Sequence, residues 1–213
     1  MVLCLVVAWS RAQADDNLIP NPGVDTDDGT WGLFVPGESE NKGCEFSISK
    51  DSPHSGSGCI ELKSGDLARF ATGPKKLVGD AVRAGDRCRL TFWVRAGSDF
   101  QAKSPPSVMV RMFLLDDQGH NLQENLAIFV GLNGKTTIQS PEKGLDFSPY
   151  KEPLPSEWTK VESVFEVPTD LGASRLSRPD FFAQYTSGSI FLDDFSLERV
   201  GSDVPLSPTF QKP

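Results

Sequence analysis

Residues 88–96, Cys-Arg-Leu-Thr-Phe-Trp-Val-Arg-Ala, alternate apolar and polar side chains. Cys88, Leu90, Phe92, Val94 and Ala96 fall on one side, and Arg89, Thr91, Trp93 and Arg95 on the other, the period of a half-buried strand. Ala84-Gly85-Asp86 before it reads as a turn. Residues 158–167 predict a second strand, stopped by Pro168, which offers no N–H to a ladder. Residues 189–199 predict a third, interrupted by Asp193-Asp194. Shorter runs predict strands at 44–49, 58–63, 67–71, 108–115, 125–130 and 180–185, with Leu115–Gly119 as a hairpin turn. With polar turns between strands and no helical period, the expected architecture is all-β, an antiparallel two-sheet sandwich.

The stretches 97–107 and 139–157 are long and Pro-rich, so they are either elaborated binding loops or irregular surface covering. Residues 201–213 are expected to form a loosely ordered tail. Nineteen Gly and 16 Pro, spread along 213 residues, leave no room for long helices or a coiled coil. With 29 acidic against 21 basic residues the formal charge is −8, which disfavours nucleic acid and anionic membranes as partners. Two His and four Cys, none clustered, exclude a zinc finger or a His-rich metal centre. There is no P-loop, dinucleotide glycine motif or Gly-x-Ser-x-Gly elbow.

The apolar run Val2–Trp9 followed by Ala12-Gln13-Ala14 fits a signal peptide over residues 1–14 and hence a secreted or periplasmic protein, although no Lys or Arg precedes the run. The run falls well below the roughly 18–20 residues of a membrane span. Beyond Cys4 stand Cys44, Cys59 and Cys88, an odd number that allows one internal disulfide at most. Cys44 shares the parity of Phe46 and Ile48, while Cys59 alternates against Ile60 and Leu62, so the two face opposite ways. Cys88 follows Leu90 and Phe92 into the core, and three unpaired thiols are the favoured reading.

Five segments occur in a telling order. They are Asn17-Leu-Ile-Pro-Asn-Pro-Gly-Val-Asp25 with Trp31, then His54-Ser-Gly56 before Cys59–Leu62, then Gly85–Ala96. Trp158-Thr-Lys-Val with Phe165–Pro168 and finally Ile190-Phe-Leu-Asp-Asp-Phe-Ser-Leu197 complete the set. Over about 17–199 the chain resembles the carbohydrate-binding modules first named for the cellulase CenC, which are galactose-binding-like jelly rolls. The resemblance implies one module over 15–200 with a structural calcium (Ca2+) where the first and last strands meet. Its ligands would be Asp25, Asp193 and the backbone around His54 and Ser55. The family more often has Glu where Asp25 stands, and Asp27 and Asp28 lie close enough to substitute. Asp193 shares the parity of Phe191, Phe195 and Leu197, where an unpaired charge is costly and a hard cation would offset it. The alternative is an Asp pair capped by backbone amides or by an arginine such as Arg95.

Sugar recognition calls for an exposed ring against which a pyranose stacks, with polar side chains for its hydroxyls. Trp31 and Trp158 fall at framework positions of the family, and Trp93 suits either framework or platform. Other candidates are Phe100, Phe129, Phe147, Tyr150 and Tyr185, with Gln101, Arg111, Asn125 and Gln139 as hydrogen-bonding groups. No pair of carboxylates is placed as a glycosidase requires, and neither His54 nor His120 sits in a Ser-His-Asp grouping. The expectation is an exported, calcium-stabilised, non-catalytic carbohydrate-binding module. The alternatives are a structural or adhesion module with a protein partner, or an ancillary module of a glycoside hydrolase system encoded elsewhere.

Overall fold

The computed structural model describes residues 17–77, 82–122, 125–139, 150 and 152–209, apart from the side chains of 103–107. The segment 1–14 and Phe147 lie outside the described residues. The strands are β1 (Trp31–Phe34), β2 (Glu45–Ser49), β3 (Cys59–Pro74), β4 (Arg87–Ala96), β5 (Gln101–Leu115), β6 (Ala127–Gly131), β7 (Thr136–Gln139), β8 (Thr159–Glu166), β9 (Arg175–Leu176) and β10 (Asp180–Arg199). Every pairing between them is antiparallel.

Two long strands join two layers. In the first layer the order is β2-β3-β10-β4-β8, built on the early part of β3 and the late part of β10, with Leu62 opposite Ile190. In the second the order is β1-β3-β10-β5-β6-β7, with Ala71 opposite Phe182. The runs 58–63 and 67–71 are thus one strand, as are 180–185 and 189–199. Ser64-Gly65-Asp66 and Thr186-Ser187-Gly188 break the apolar alternation without reversing the chain. The register between β10 and β3 slips around Thr186, as bulges at a sheet corner do. Gly188 has φ +80°, and a Cβ there would lie 2.3 Å from the Asp99 carbonyl oxygen, so the close crossing requires glycine.

Both layers send their apolar faces inward. Cys88, Leu90, Phe92 and Val94 of β4 are fully buried against Val110, Met112 and Leu114 of β5 and Leu192, Phe195 and Leu197 of β10 within one core. The Phe92 and Phe195 rings stack at 4.9 Å, and Trp31 meets Phe195 edge-on at 5.1 Å. The opening segment seals this end: Leu18 N donates to the Leu197 carbonyl, while Asn17 Oδ1 accepts from Leu197 N and Nδ2 donates to the Phe195 carbonyl. Cys44, Cys59 and Cys88 are free thiols, as their parity predicted.

β1, β7, β9 and the first part of β5 escape sequence reading. The first three are at most four residues long, and Gln101–Ser107 lacks alternation and contains Pro105-Pro106. Those prolines fall between the two stretches of β5 that pair with β10, at 101–102 and 107–111, where no ladder bond is asked of them. The segment after Arg199, expected as a loose tail, is tied down as far as Thr209. Arg87 Nη1 donates to the Val204 carbonyl, Ser207 exchanges two bonds with Val164, and Thr136 N donates to the Pro208 carbonyl.

Candidate functional site

Two places gather the residues singled out from the sequence. The first is the turn at 54–57, which folds over the outer face of the first layer. Asp193 is fully buried there and accepts three backbone amides, from His54 (2.9 Å), Ser55 (3.1 Å) and Asp194 (2.8 Å). Burial pushes its carboxyl up to about 6; the negative charge of Asp194 adds to this and the amides oppose it. A one-residue bulge between Asp193 and Ser196 resets the parity of β10. This is why Phe195 and Leu197 enter the core while Asp193 faces out under the turn.

Asp194, at φ 47°, is the half-exposed member of the pair. It accepts from Ser55 Oγ (2.6 Å) and meets His54 Nδ1 (2.6 Å). The His54 ring in turn stacks on Trp93 at 3.6 Å. Asp25 binds the backbone and hydroxyl of Ser57 in the same turn. All four residues expected at the metal, Asp25, His54, Ser55 and Asp193, therefore meet, but Asp193 spends its oxygens on amides. A Cβ on Gly23 would lie 3.7 Å from Asp194 Oδ1 and 3.8 Å from Asp25 Oδ2. Two carboxylates thus flank a space that glycine leaves open, an oxygen donor set suited to a hard cation. Among the described residues no three His, Cys, Asp or Glu side chains converge around one point as metal ligands.

The second place is the outer face of the second layer. Its side chains follow from register. One row runs Phe34, Ala71, Phe182, Met109 across β1, β3, β10 and β5, and the next runs Gly73, Asp180, Arg111, Phe129, Thr137 across β3, β10, β5, β6 and β7. Phe113 and Ala127 form a third row ending at Gln139. Six strands at about 4.8 Å make the face roughly 24 Å wide. Met109, Phe129, Tyr150, Phe182 and Ala71 pack here as a small apolar cluster separate from the main core.

Phe182 is covered by two guanidiniums, with Arg111 Cζ 4.5 Å and Arg69 Cζ 5.9 Å from its ring centre. Arg111 also lies 5.2 Å from the Phe113 ring. Arg69 is paired with Glu38, in the 3-10 turn at Gly37–Ser39, at 2.6 Å, and Arg178 with Asp180 at 3.6 Å. Burial lowers the Arg111 guanidinium from its ordinary range, and Asp180 counters that effect. Burial likewise raises Asp180, against the pull of Arg178 and Arg111.

Of the expected ligand residues, Arg111, Phe129 and Tyr150 share this face. Phe129 and Tyr150 are each only 1% exposed, the Tyr150 ring standing 6.0 Å from Phe129 and sharing a 2.5 Å hydrogen bond with Thr137 Oγ1. They shape the face from beneath rather than presenting rings. The others lie elsewhere. Trp93 supports His54 on the first layer, Phe100 packs against the main core after the turn at Gly97, and Tyr185 stands exposed at a bulge of β10. The exposed ring of the face is Phe34, at 58%, which sequence reading passed over together with Arg69, Phe113 and Phe182. Parity alone could not separate the outer face from the core, because β10 and β5 carry apolar residues on both sides.

No protein-family model matches the chain, and no curated protein matches it either. Solved structures do. The enzymatically active domain of tailspike protein 4 from bacteriophage CBA120 aligns with a TM-score of 0.58 at 16% identity, over 86% of this chain and 21% of that one. A carbohydrate-binding module described within the β-sandwich superfamily aligns with a TM-score of 0.51 at 12% identity, over 88% of this chain and 64% of that one. The chain thus spans about a fifth of the first structure and under two thirds of the second. At these identities the likeness is one of fold, an antiparallel β-sandwich.

Proposed function

We propose that the protein is a non-catalytic module of the CenC type, exported, that binds a carbohydrate chain across the outer face of its second layer. The observation that carries this reading is the juxtaposition on one sheet face of an exposed ring, Phe34, with the guanidiniums of Arg69 and Arg111 over the buried Phe182 and the polar Thr137 and Gln139. A pyranose stacks its C–H face on such a ring while guanidinium and amide groups bond its hydroxyls. The carboxylates bordering the face, Glu38 and Asp180, are ion-paired with arginines, which favours binding over general acid–base work.

Calcium belongs to the same proposal, held by Asp25 and Asp194 above Gly23 with backbone oxygens of the 54–57 turn. Bound there it would neutralise two carboxylates and fix the turn against β10.

The test is a polysaccharide and glycan array probed with the full chain, followed by titration of Phe34→Ala. Binding that Phe34→Ala weakens about tenfold, at unchanged melting temperature, is expected, because Phe34 is exposed. Absence of any glycan ligand for the folded protein would overturn it. That result would favour a protein partner at the crevice of about 510 Å³ between β7, β8 and the C-terminal segment, where Ile138 and Leu206 are exposed.

A further inference from the structure

We infer that the carbohydrate taken by this face is anionic, a polysaccharide whose uronic-acid carboxylates are held by Arg69 and Arg111 beside the Phe182 ring. The inference rests on the reading of this face as the glycan site and narrows it to a ligand class.

Three features point to a carboxylate. First, the two guanidiniums share one aromatic ring, their Cζ atoms standing 5.9 Å and 4.5 Å from the centre of Phe182. A planar, pre-oriented fork matches a carboxylate in a way that a hydrated lysine ammonium does not. Second, the Nε atoms of Arg69 and Arg111 are buried and have no hydrogen-bond partner among the described residues. Burying a guanidinium on incomplete bonding is costly, and a carboxylate on its terminal nitrogens would offset part of that cost.

Third, among the described residues charge does not balance on the face. Arg69, Arg111 and Arg178 stand against Glu38 and Asp180, leaving one positive charge in excess. The side chain of Lys75 adds to it, lying 3.4 Å from where a Cβ on Gly32 would stand, next to Gly73 in the register. In a chain of net charge −8 this local reversal guides an anion to one face and away from the rest. A site built for neutral sugars has the opposite need, carboxylates and amides free to accept from hydroxyls. Here the carboxylates are taken up by arginines.

The test uses the full chain and four probes: oligogalacturonate, its fully methyl-esterified form, a sulfated glucan and an unsubstituted glucan. Affinity is measured at about 50 and 500 mM NaCl, where the Debye length falls from beyond 10 Å to a few Å. Oligogalacturonate is expected to bind at least tenfold tighter than its methyl ester and to weaken with salt. Arg69→Gln, at a half-buried residue paired with Glu38, and Arg111→Lys, which keeps the charge but loses the fork, should each cost about tenfold to a hundredfold with this probe. Asp180→Asn should tighten it. Melting curves of each variant separate lost binding from lost fold. Equal binding of acid and ester that still depends on Phe34 would overturn the anionic assignment and leave the glycan face standing. Preference for the sulfated glucan would overturn the carboxylate assignment. Binding of none of the four, with an empty array, would remove the glycan reading itself.

Discussion

Replacing Asp193 with Ala removes the acceptor of three backbone amides at once, those of His54, Ser55 and Asp194. A buried amide left unpaired costs about 1–3 kcal/mol. Ser55 is exposed and His54 half-buried, so water reaches part of the turn and the lower end applies, about 3 kcal/mol in total. For a domain of this size each kcal/mol moves the melting temperature by about 2–4 °C, so the expected fall is roughly 6–12 °C. The effect also depends on pH. Asp193 is held up at about 6 against an unfolded value of 3.8, because burial disfavours its charge. Its contribution to stability is therefore complete below pH 3.8 and is lost as pH rises through about 6. Calorimetry in a chelator, which excludes any calcium effect, should give a wider gap between wild type and Asp193→Ala at pH 4.5 than at pH 7.5. Asp193→Asn, which keeps one carbonyl acceptor but turns a donor toward the third amide, should fall between the two. A gap below about 2 °C at both pH values would refute the account of Asp193 as the anchor of the turn.

Two further outcomes follow from the same geometry. Calcium at a hundred times its Kd should raise the melting temperature by roughly 5–10 °C, and Asp25→Asn or Asp194→Asn should abolish the rise; no shift in wild type would remove the metal from the proposal. Burial pushes the Cys59 and Cys88 thiols up to about 12 and raises Cys44 as well, so at pH 8 native protein should label slowly at Cys44 and not at Cys59 or Cys88, read by peptide mass spectrometry.

The strands most legible in sequence are those whose two faces differ in polarity. β4 and β8 were bounded to within a residue because one face meets the core and the other meets polar neighbours. The long strands β3 and β10 each read in sequence as two runs, since polar and glycine residues at their bends look like turn chemistry. Sequence marks Asp193 as a carboxylate in a costly place but gives the wrong direction for it, because parity counting takes no account of the bulge between Asp193 and Ser196. The exposed Phe34 gave no signal at all. Its strand has four residues, and its neighbour on the face, Ala71, is revealed only by register across the sheet.

Both candidate sites are carried by the same pair of strands. β10 holds Asp193 in the first layer and Phe182 with Asp180 in the second, while β3 runs beside it from Cys59 to Arg69 and Ala71. A slip of one residue would turn every side chain of a strand to the opposite face, so each site depends on a fixture that holds its register. Asp193, bonded to the 54–57 turn that leads into β3, is such a fixture. The bulges around Thr186 stand between the two sites and give the strands slack there. Loosening the turn at Asp193 should therefore lower stability while leaving Arg69 and Arg111 on Phe182 in place, because the pairing of Ala71 with Phe182 lies beyond the bulge. On this account Asp193→Ala melts early but binds its glycan with wild-type affinity at temperatures where it is folded.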